Sequence, residues 1–171
     1  MEKDLTSCKV RSWRWSDLDS IVRHANNRNV WINLRDRFPY PYTATDARRW
    51  LQGVTEDMPE TNFAIAVGDE AVGGIGFMLQ QDVAYRSAEI GYWLGEEFWG
   101  RGIATDALVF VTEYAFASHE LCRLYAHVFE WNHASARVLE KAGYLLEGRQ
   151  RKSVTKDGQT IDQLMYAIIR E

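Results

Sequence analysis

The stretch "GYWLGEEFWGRGIATDAL", from Gly91 to Leu108, decides how this chain is read. Its first part has the pattern of a strand and its last part that of an amphipathic helix. Between them lies Trp99-Gly100-Arg101-Gly102-Ile103-Ala104, with two glycines and an alanine where the chain turns. A strand that hands over directly to a helix leaves the first helical amides without intrahelical partners. With the helix dipole behind them, those amides make a site for an anion. A phosphate reaches backbone only where side chains do not stand in the way, which Gly100, Gly102 and Ala104 permit. A tight turn and close helix packing would ask for the same small residues, so the glycines alone leave both readings open.

The neighbouring segments extend the pattern in both directions. "SAEIGYWLG" is a strand, and "GIATDALVFVTEYAFA" is a helix. On that helix Ile103, Ala107, Phe110 and Tyr114 fall on one face, and Thr105, Asp106, Thr112 and Glu113 on another. Upstream, "NFAIAV" and "AVGGIGFMLQ" form a hairpin through Gly68-Asp69-Glu70, and Gly73, Gly74 and Gly76 weaken the second strand or mark a bulge or a close backbone approach. Before them, "LTSCKVRSW" has strand character, and Ser16 to Asp19 reads as a capping box opening a helix through Ala25. A helical turn is expected near Val30 to Leu34. Pro39 and Pro41 break regular structure, and Thr43 to Asp46 offers a second capping box. Downstream, "CRLYAHVFE" is a strand and "NHASARVLEKAG" a short helix with Asn132 as N-cap and Gly143 as its stop. "YLLEGRQ" and "TIDQLMYAIIR" are closing strands joined at Lys156-Asp157-Gly158. The order is mixed α/β, with hairpins at both ends and strand–helix units between, in one domain over residues 1–171.

Composition narrows the function classes. The chain has 171 residues, 46% hydrophobic and 26% charged, enough for a real core. A net charge of −4 argues against a nucleic-acid binder, which would show a basic excess. "MEKDLTSCKV" lacks the apolar core of a signal peptide, and no stretch is long and apolar enough to span a membrane. A cytoplasmic protein with no membrane partner is therefore expected. Cys8 and Cys122 have no paired spacing, and four scattered histidines give no ligand pattern, so no metal is expected.

The glycine turn, followed by "TDAL" and some thirty residues later by "EWNHASARVLEKAGYLLEG", resembles the GNAT superfamily of acyl-CoA-dependent N-acyltransferases. Within it, "AEIGYWLGEEFWGRGIAT" and "FPYPYT…DARRWL" are most similar to the RimJ/RimL group of protein N-terminal acetyltransferases. The resemblance covers nearly the whole chain, strongly from Asn62 to Gly148. It implies a mostly antiparallel twisted sheet, splayed in the middle, with helices on both faces. It implies acetyl-CoA as cosubstrate, its pyrophosphate on the backbone of Trp99, Gly100, Arg101, Gly102, Ile103 and Ala104. Trp99 stands where the family usually has Arg or Gln. The splayed strand is "EIGYWL", so Tyr92, Trp93 and Leu94 would hold the pantetheine arm, with an amide there facing the thioester carbonyl.

The chemistry implied is direct attack of an amine on the acetyl carbonyl, which asks for a base and for an acid near the sulfur. Many family members carry a tyrosine as acid seven residues after the helix-opening asparagine, and that position is Leu139. The RimJ/RimL group has a serine three residues after it, here Ser135. Asn132 is an N-cap in any case and, by the resemblance, a further contact to the pantetheine arm. Ser135 is equally an ordinary first-turn residue. For the base, Glu89 shares a strand face with Gly91 and Trp93, with His127 and His133 behind it as alternatives.

In "WINLRDRFPYPYT", Arg35, Asp36, Arg37, Phe38 and Tyr40 occupy the segment that walls the acceptor site in the family. A solvated loop pinned by Phe38 and Tyr40 would carry the same residues. The expected acceptor is a protein or peptide amino terminus. The alternatives are a polyamine or aminoglycoside, or a CoA-binding sensor without turnover. Exposed edges of the final strands could mediate a homodimer.

Overall fold

The computed structural model describes all residues, 1–171. It has eight strands and five helices; the strand β1 at Glu2–Asp4 is not expected from the sequence, and the other elements come in the expected order. The strands are β1 (Glu2–Asp4), β2 (Lys9–Arg11), β3 (Asn62–Val67), β4 (Glu70–Leu79), β5 (Ser87–Leu94), β6 (Arg123–Phe129), β7 (Leu145–Lys156) and β8 (Gln159–Ile169). The helices are α1 (Leu18–Ala25), α2 (Arg28–Trp31), α3 (Ala44–Glu56), α4 (Ile103–Ser118) and α5 (His133–Lys141). The strand order is β1-β2-β3-β4-β5-β6-β8-β7. The fold is thus mixed α/β on a mostly antiparallel sheet, as expected.

Two compact units divide the chain. One holds 1–76 and 92–107, the other 77–91 and 108–171. In the first, the β3–β4 hairpin forms around Gly68-Asp69 as expected, with a register shift between Ile65 and Ala66. Its core gathers Trp13, Ile21, Ala25, Tyr42, Ala47, Leu51 and Val54 against Ala64 and Ala71. The helix α3 opens on the expected capping box: the Thr43 amide donates to the Asp46 carboxylate at 2.9 Å, and the Asp46 amide donates back to Thr43 Oγ1 at 3.3 Å.

The first capping box is a correction. A 3-10 turn, Trp15–Asp17, precedes α1. The Asp17 carboxylate is engaged by the buried Arg11 guanidinium through two bonds of 2.8 and 2.7 Å, and also accepts the Arg14 amide. The helix α1 starts at Leu18 with Asp17, not Ser16, at the N-cap position, and no side chain caps it. The segment "LTSCKVRSW" keeps only three strand residues, Lys9–Arg11, and the helical turn starts at Arg28 because Asn27 caps it.

In the second unit, β5 runs parallel to β6 over Ser87–Glu89 against Arg123–Tyr125. β6, β8 and β7 then pair antiparallel. β7 is longer than its sequence pattern suggests, since register shifts between Leu146 and Gly148 and between Gln150 and Val154 carry it on to Lys156. The expected polar face of α4 needs a second correction. Thr112 is buried, its hydroxyl hydrogen-bonded to that of Tyr144 at 2.7 Å. Ile103, Ala107, Leu108, Val111 and Ala115 form the buried stripe, while Phe110 and Tyr114 are only half-buried.

Candidate active site

The turn from β5 into α4 has the geometry its glycines predict. After a 3-10 turn at Glu96–Phe98, Trp99 is extended, and Gly100 and Gly102 take positive φ of 74° and 82°. Only glycine occupies that region readily. The Asp106 amide donates to Gly102 O at 3.0 Å, the first i→i−4 bond of α4. The amides of Ile103, Ala104 and Thr105 therefore precede the helical ladder and have no carbonyl four residues back within it. A Cβ placed on Gly100 or Gly102 would meet nothing within 4 Å, so the approach to this backbone is open. An anion fits here on dipole, donors and space together.

Trp99 has a role its sequence position did not reveal. Its indole Nε1–H donates to Leu94 O at 2.8 Å, tying the turn back to the end of β5. The ring is partly exposed and offers no cation where the family has Arg or Gln. The exposed Arg101 guanidinium lies 5.2 Å above the Phe98 ring and is the charge nearest in sequence to the glycines. From the other side, Ser7 Oγ–H donates to the Asp106 carboxylate at 2.6 Å and steadies the first turn of α4.

At the end of β5, Tyr92 and Trp93 are half-buried and Leu94 is buried. The Gly95 amide donates to Val72 O at 2.8 Å, which brings β4 against this end of β5. Gly73 and Gly74 are explained by that approach. A Cβ on Gly73 would strike the Trp93 carbonyl, and one on Gly74 would lie 2.8 Å from Trp93 Nε1 and 2.9 Å from the Trp13 ring. The Trp93 indole thus packs on the first unit's core, and in the same unit it meets the candidate acceptor segment. Phe38 stands edge-on to Trp93 at 5.6 Å and packs on Tyr42 at 4.9 Å. Tyr40 is exposed and stacks on Trp31 at 5.7 Å. Arg35 and Asp36 are exposed on the turn that the Phe38 amide closes onto Arg35 O at 2.9 Å.

The second unit holds the remaining candidates. Glu89 Oε1 lies 3.1 Å from His127 Nδ1, both side chains largely buried, at 15% and 18% exposure. The register explains the pair. Glu89 lies opposite Tyr125, and His127 is two residues further along the same face of β6. His127, on the sequence alone an alternative base to Glu89, is its hydrogen-bond partner. Only the β5–β6 register could have joined them, and no local pattern encodes it. His133 opens α5 and is a helix residue.

Asn132 caps α5 as expected, its Oδ1 accepting the Ser135 amide at 3.1 Å. That bond uses the side-chain oxygen and leaves Nδ2 as the group able to donate to a ligand. Leu139, at the position where many relatives carry a tyrosine, is fully buried. A phenol there would replace a core residue. No group of three or more His, Cys, Asp or Glu is placed to hold a metal ion, and no helix is long and apolar enough to cross a membrane.

An open, dipole-backed glycine turn between a strand and a helix, in a mixed α/β fold with β5 parallel to β6, leads to the class. The chain belongs to the acetyltransferase (GNAT) domain family, whose model matches residues 8–145. It is an acyltransferase that depends on acetyl-CoA, and the glycine turn fits that cosubstrate's phosphates.

Among its relatives, "Probable N-acetyltransferase YjcK" of Bacillus subtilis (strain 168) is 38% identical over 133 residues, 75% of this chain and 74% of that one. "Uncharacterized N-acetyltransferase p20" of Bacillus licheniformis is 33% identical over 170 residues, 94% and 92% of the two. Spermidine N(1)-acetyltransferase of Escherichia coli (strain K12) is 26% identical over 165 residues, 96% and 87%. Among solved structures, RimL, a ribosomal alpha-N-protein acetyltransferase in complex with coenzyme A, superposes with a TM-score of 0.84 at 24% identity, covering 96% and 95%. Mycobacterium smegmatis RimJ, in complex with CoA-disulfide, gives 0.82 at 27% identity, covering 95% and 81%.

Proposed function

We propose that this protein transfers acetyl from acetyl-CoA to the α-amino group of a peptide or protein amino terminus, and that residues 1–171 work as one acetyltransferase domain. The observation that carries the catalytic part is the Glu89–His127 pair at 3.1 Å on the strand that leads to the glycine turn. With the shared proton on Nδ1 and donated to Glu89, Nε2 of His127 keeps its lone pair. Glu89 and His127 then form one acid–base unit that takes the proton an attacking amine must lose.

Acetyl-CoA supplies the activated acyl group. The Trp99 amide closes the 3-10 turn onto Glu96 O at 3.1 Å, so the pyrophosphate is held by the amide donors from Gly100 to Ala104, and Arg101 adds a positive charge beside them. Backbone groups of Tyr92, Trp93 and Leu94 grip the pantetheine arm, and an amide there donates to the developing oxyanion. Ser135 donates a hydrogen bond to the departing thiolate, which is protonated by the proton the amine gave up to the Glu89–His127 unit or by solvent, and Asn132 Nδ2 steadies the arm.

The acceptor meets Arg35, Asp36, Phe38 and Tyr40. The aromatic contacts of Phe38 with Trp93 and Tyr42 support a peptide end lying across rings, and Asp36 supplies a carboxylate for the incoming ammonium. The acetylation of ribosomal protein amino termini named for RimL supports the same acceptor class. The relative named for spermidine favours a second reading, in which the mechanism stands and the acceptor is a small polyamine.

The discriminating experiment is release of CoA thiol from acetyl-CoA by purified protein against peptides of varied amino terminus, with polyamines and aminoglycosides in parallel. Release with peptides alone is the expected outcome. Release with small amines alone overturns the acceptor, and binding of acetyl-CoA without release to any acceptor favours a sensor.

A further inference from the structure

The helix α2 has four residues, and a single helical turn does not stand alone in water. Three attachments hold it. Val30 is buried, and Asn27 Oδ1 accepts the amides of Asn29 and Val30 at 2.7 and 3.3 Å. The third is Glu96. One carboxylate oxygen accepts Asn27 Nδ2 and the other accepts Asn29 Nδ2, each at 2.8 Å. At the far end of the same segment, the Tyr42 amide donates to Asn26 Oδ1 at 3.0 Å. The chain from 27 to 42, which carries Arg35, Asp36, Phe38 and Tyr40, therefore leaves from and returns to adjacent asparagines. Glu96 opens the 3-10 turn that ends where Trp99 begins the glycine turn.

We infer that Glu96 is a positioning residue that couples the two substrates: it fastens the acceptor segment to the turn that receives acetyl-CoA, so occupancy of the turn orders α2. The inference rests on the proposed roles of the glycine turn and of the segment from Arg35 to Tyr40. Phe98 reinforces the coupling within the same short turn, its ring edge-on to the buried His24 of α1 at 5.4 Å. A carboxylate is the side chain that serves both donors here, because it offers two acceptor oxygens. Glutamine at this position keeps one oxygen and turns an NH2 toward the other asparagine.

Hydrogen exchange reads the coupling without any acceptor present. The amides of Trp31, Ile32, Asn33 and Leu34 donate within the segment at 2.9 to 3.2 Å and report its opening. In Glu96→Gln they should exchange about fivefold faster, the consequence of losing one charge-assisted bond at an exposed position. Saturating acetyl-CoA should slow these four amides in the wild type and leave them unchanged in Glu96→Gln. Asn29→Ala should reproduce Glu96→Gln, and the double variant should be no worse than either single one. With an active acceptor, the same variants should raise the acceptor KM while kcat holds.

Unchanged exchange in both single variants overturns the inference. So does an equal response to acetyl-CoA in wild type and Glu96→Gln, or no response in the wild type. Failure to acetylate peptides, by contrast, overturns the proposed acceptor and leaves the exchange result standing.

Discussion

Replacing Gly102 by alanine separates the phosphate role of the turn from its role as a turn. Gly102 has φ of +82°, and a Cβ there meets nothing within 4 Å, so alanine adds backbone strain but no clash. Left-handed backbone costs a non-glycine residue about 1–2 kcal/mol. In a protein of this size each kcal/mol lowers Tm by about 2–4 °C, so a fall of about 2–8 °C is expected. That cost is the same with and without ligand. By the proposed phosphate role, the added methyl also takes up space that a pyrophosphate needs at this turn. Losing one hydrogen bond to a charged oxygen costs about 2 kcal/mol, which weakens CoA binding by about 30-fold.

Gly158, in the β7–β8 turn, is the matched control. It has φ of +75° and nothing within 4 Å of its missing Cβ. Gly158→Ala should lower Tm by a similar amount and leave CoA affinity alone. Calorimetric titration with CoA and thermal melting of both variants decide the matter. If Gly102→Ala binds CoA within twofold of wild type while its Tm falls like that of Gly158→Ala, the turn is structural and the phosphate argument fails.

Other predictions concern the proton path and stability. Glu89→Gln and His127→Ala should each lower kcat by about 10²-fold, and the double variant should be little worse than either, because the pair acts as one unit. Additive losses measured in a thiol-release assay would mean two independent roles. Ser135→Ala should lower kcat by about tenfold with the acetyl-CoA KM unchanged, since thiolates depart with modest help; a rise in KM alone would make Ser135 a binding residue. Burial pushes the Cys8 thiol up from 9.0 to about 11, so the folded state holds that proton more tightly than the unfolded chain. Its stabilising contribution is whole below pH 9 and is lost as pH rises through 11. The urea midpoint of wild type should therefore fall from pH 9 upward more steeply than that of Cys8→Ala. Tyr42 and Tyr144, pushed up to about 12 by burial, add loss of the same sign above pH 10 in both proteins.

What could be read in the sequence was what short-range chemistry decides. The Thr43–Asp46 box, the Gly68-Asp69 hairpin turn, the Asn132 cap and the turn at Gly100 and Gly102 each depend on residues within a few positions of one another, and each forms as expected. What could not be read depends on distant partners. Ser16 and Asp19 have the spacing of a capping box, but the helix starts one residue later, after Asp17, which Arg11 holds in the interior. Thr112 has the character of a helix surface residue, and a hydroxyl from Tyr144 buries it. Glu89 and His127 meet through a parallel register, and Glu96 meets Asn27 and Asn29 across nearly seventy residues of chain. The resemblance supplied the cosubstrate and the proposed roles, and the structure adds the contacts that those residues make.

The proposed acceptor is an α-amine. The most direct test is to incubate the protein with acetyl-CoA and a peptide carrying a free amino terminus and an internal lysine, then locate the added acetyl by fragmentation mass spectrometry. The expected result is acetyl on the α-amino group, with the lysine unmodified and with a polyamine in the same tube left unchanged. Acetyl on the polyamine or the lysine, with the amino terminus untouched, would contradict it.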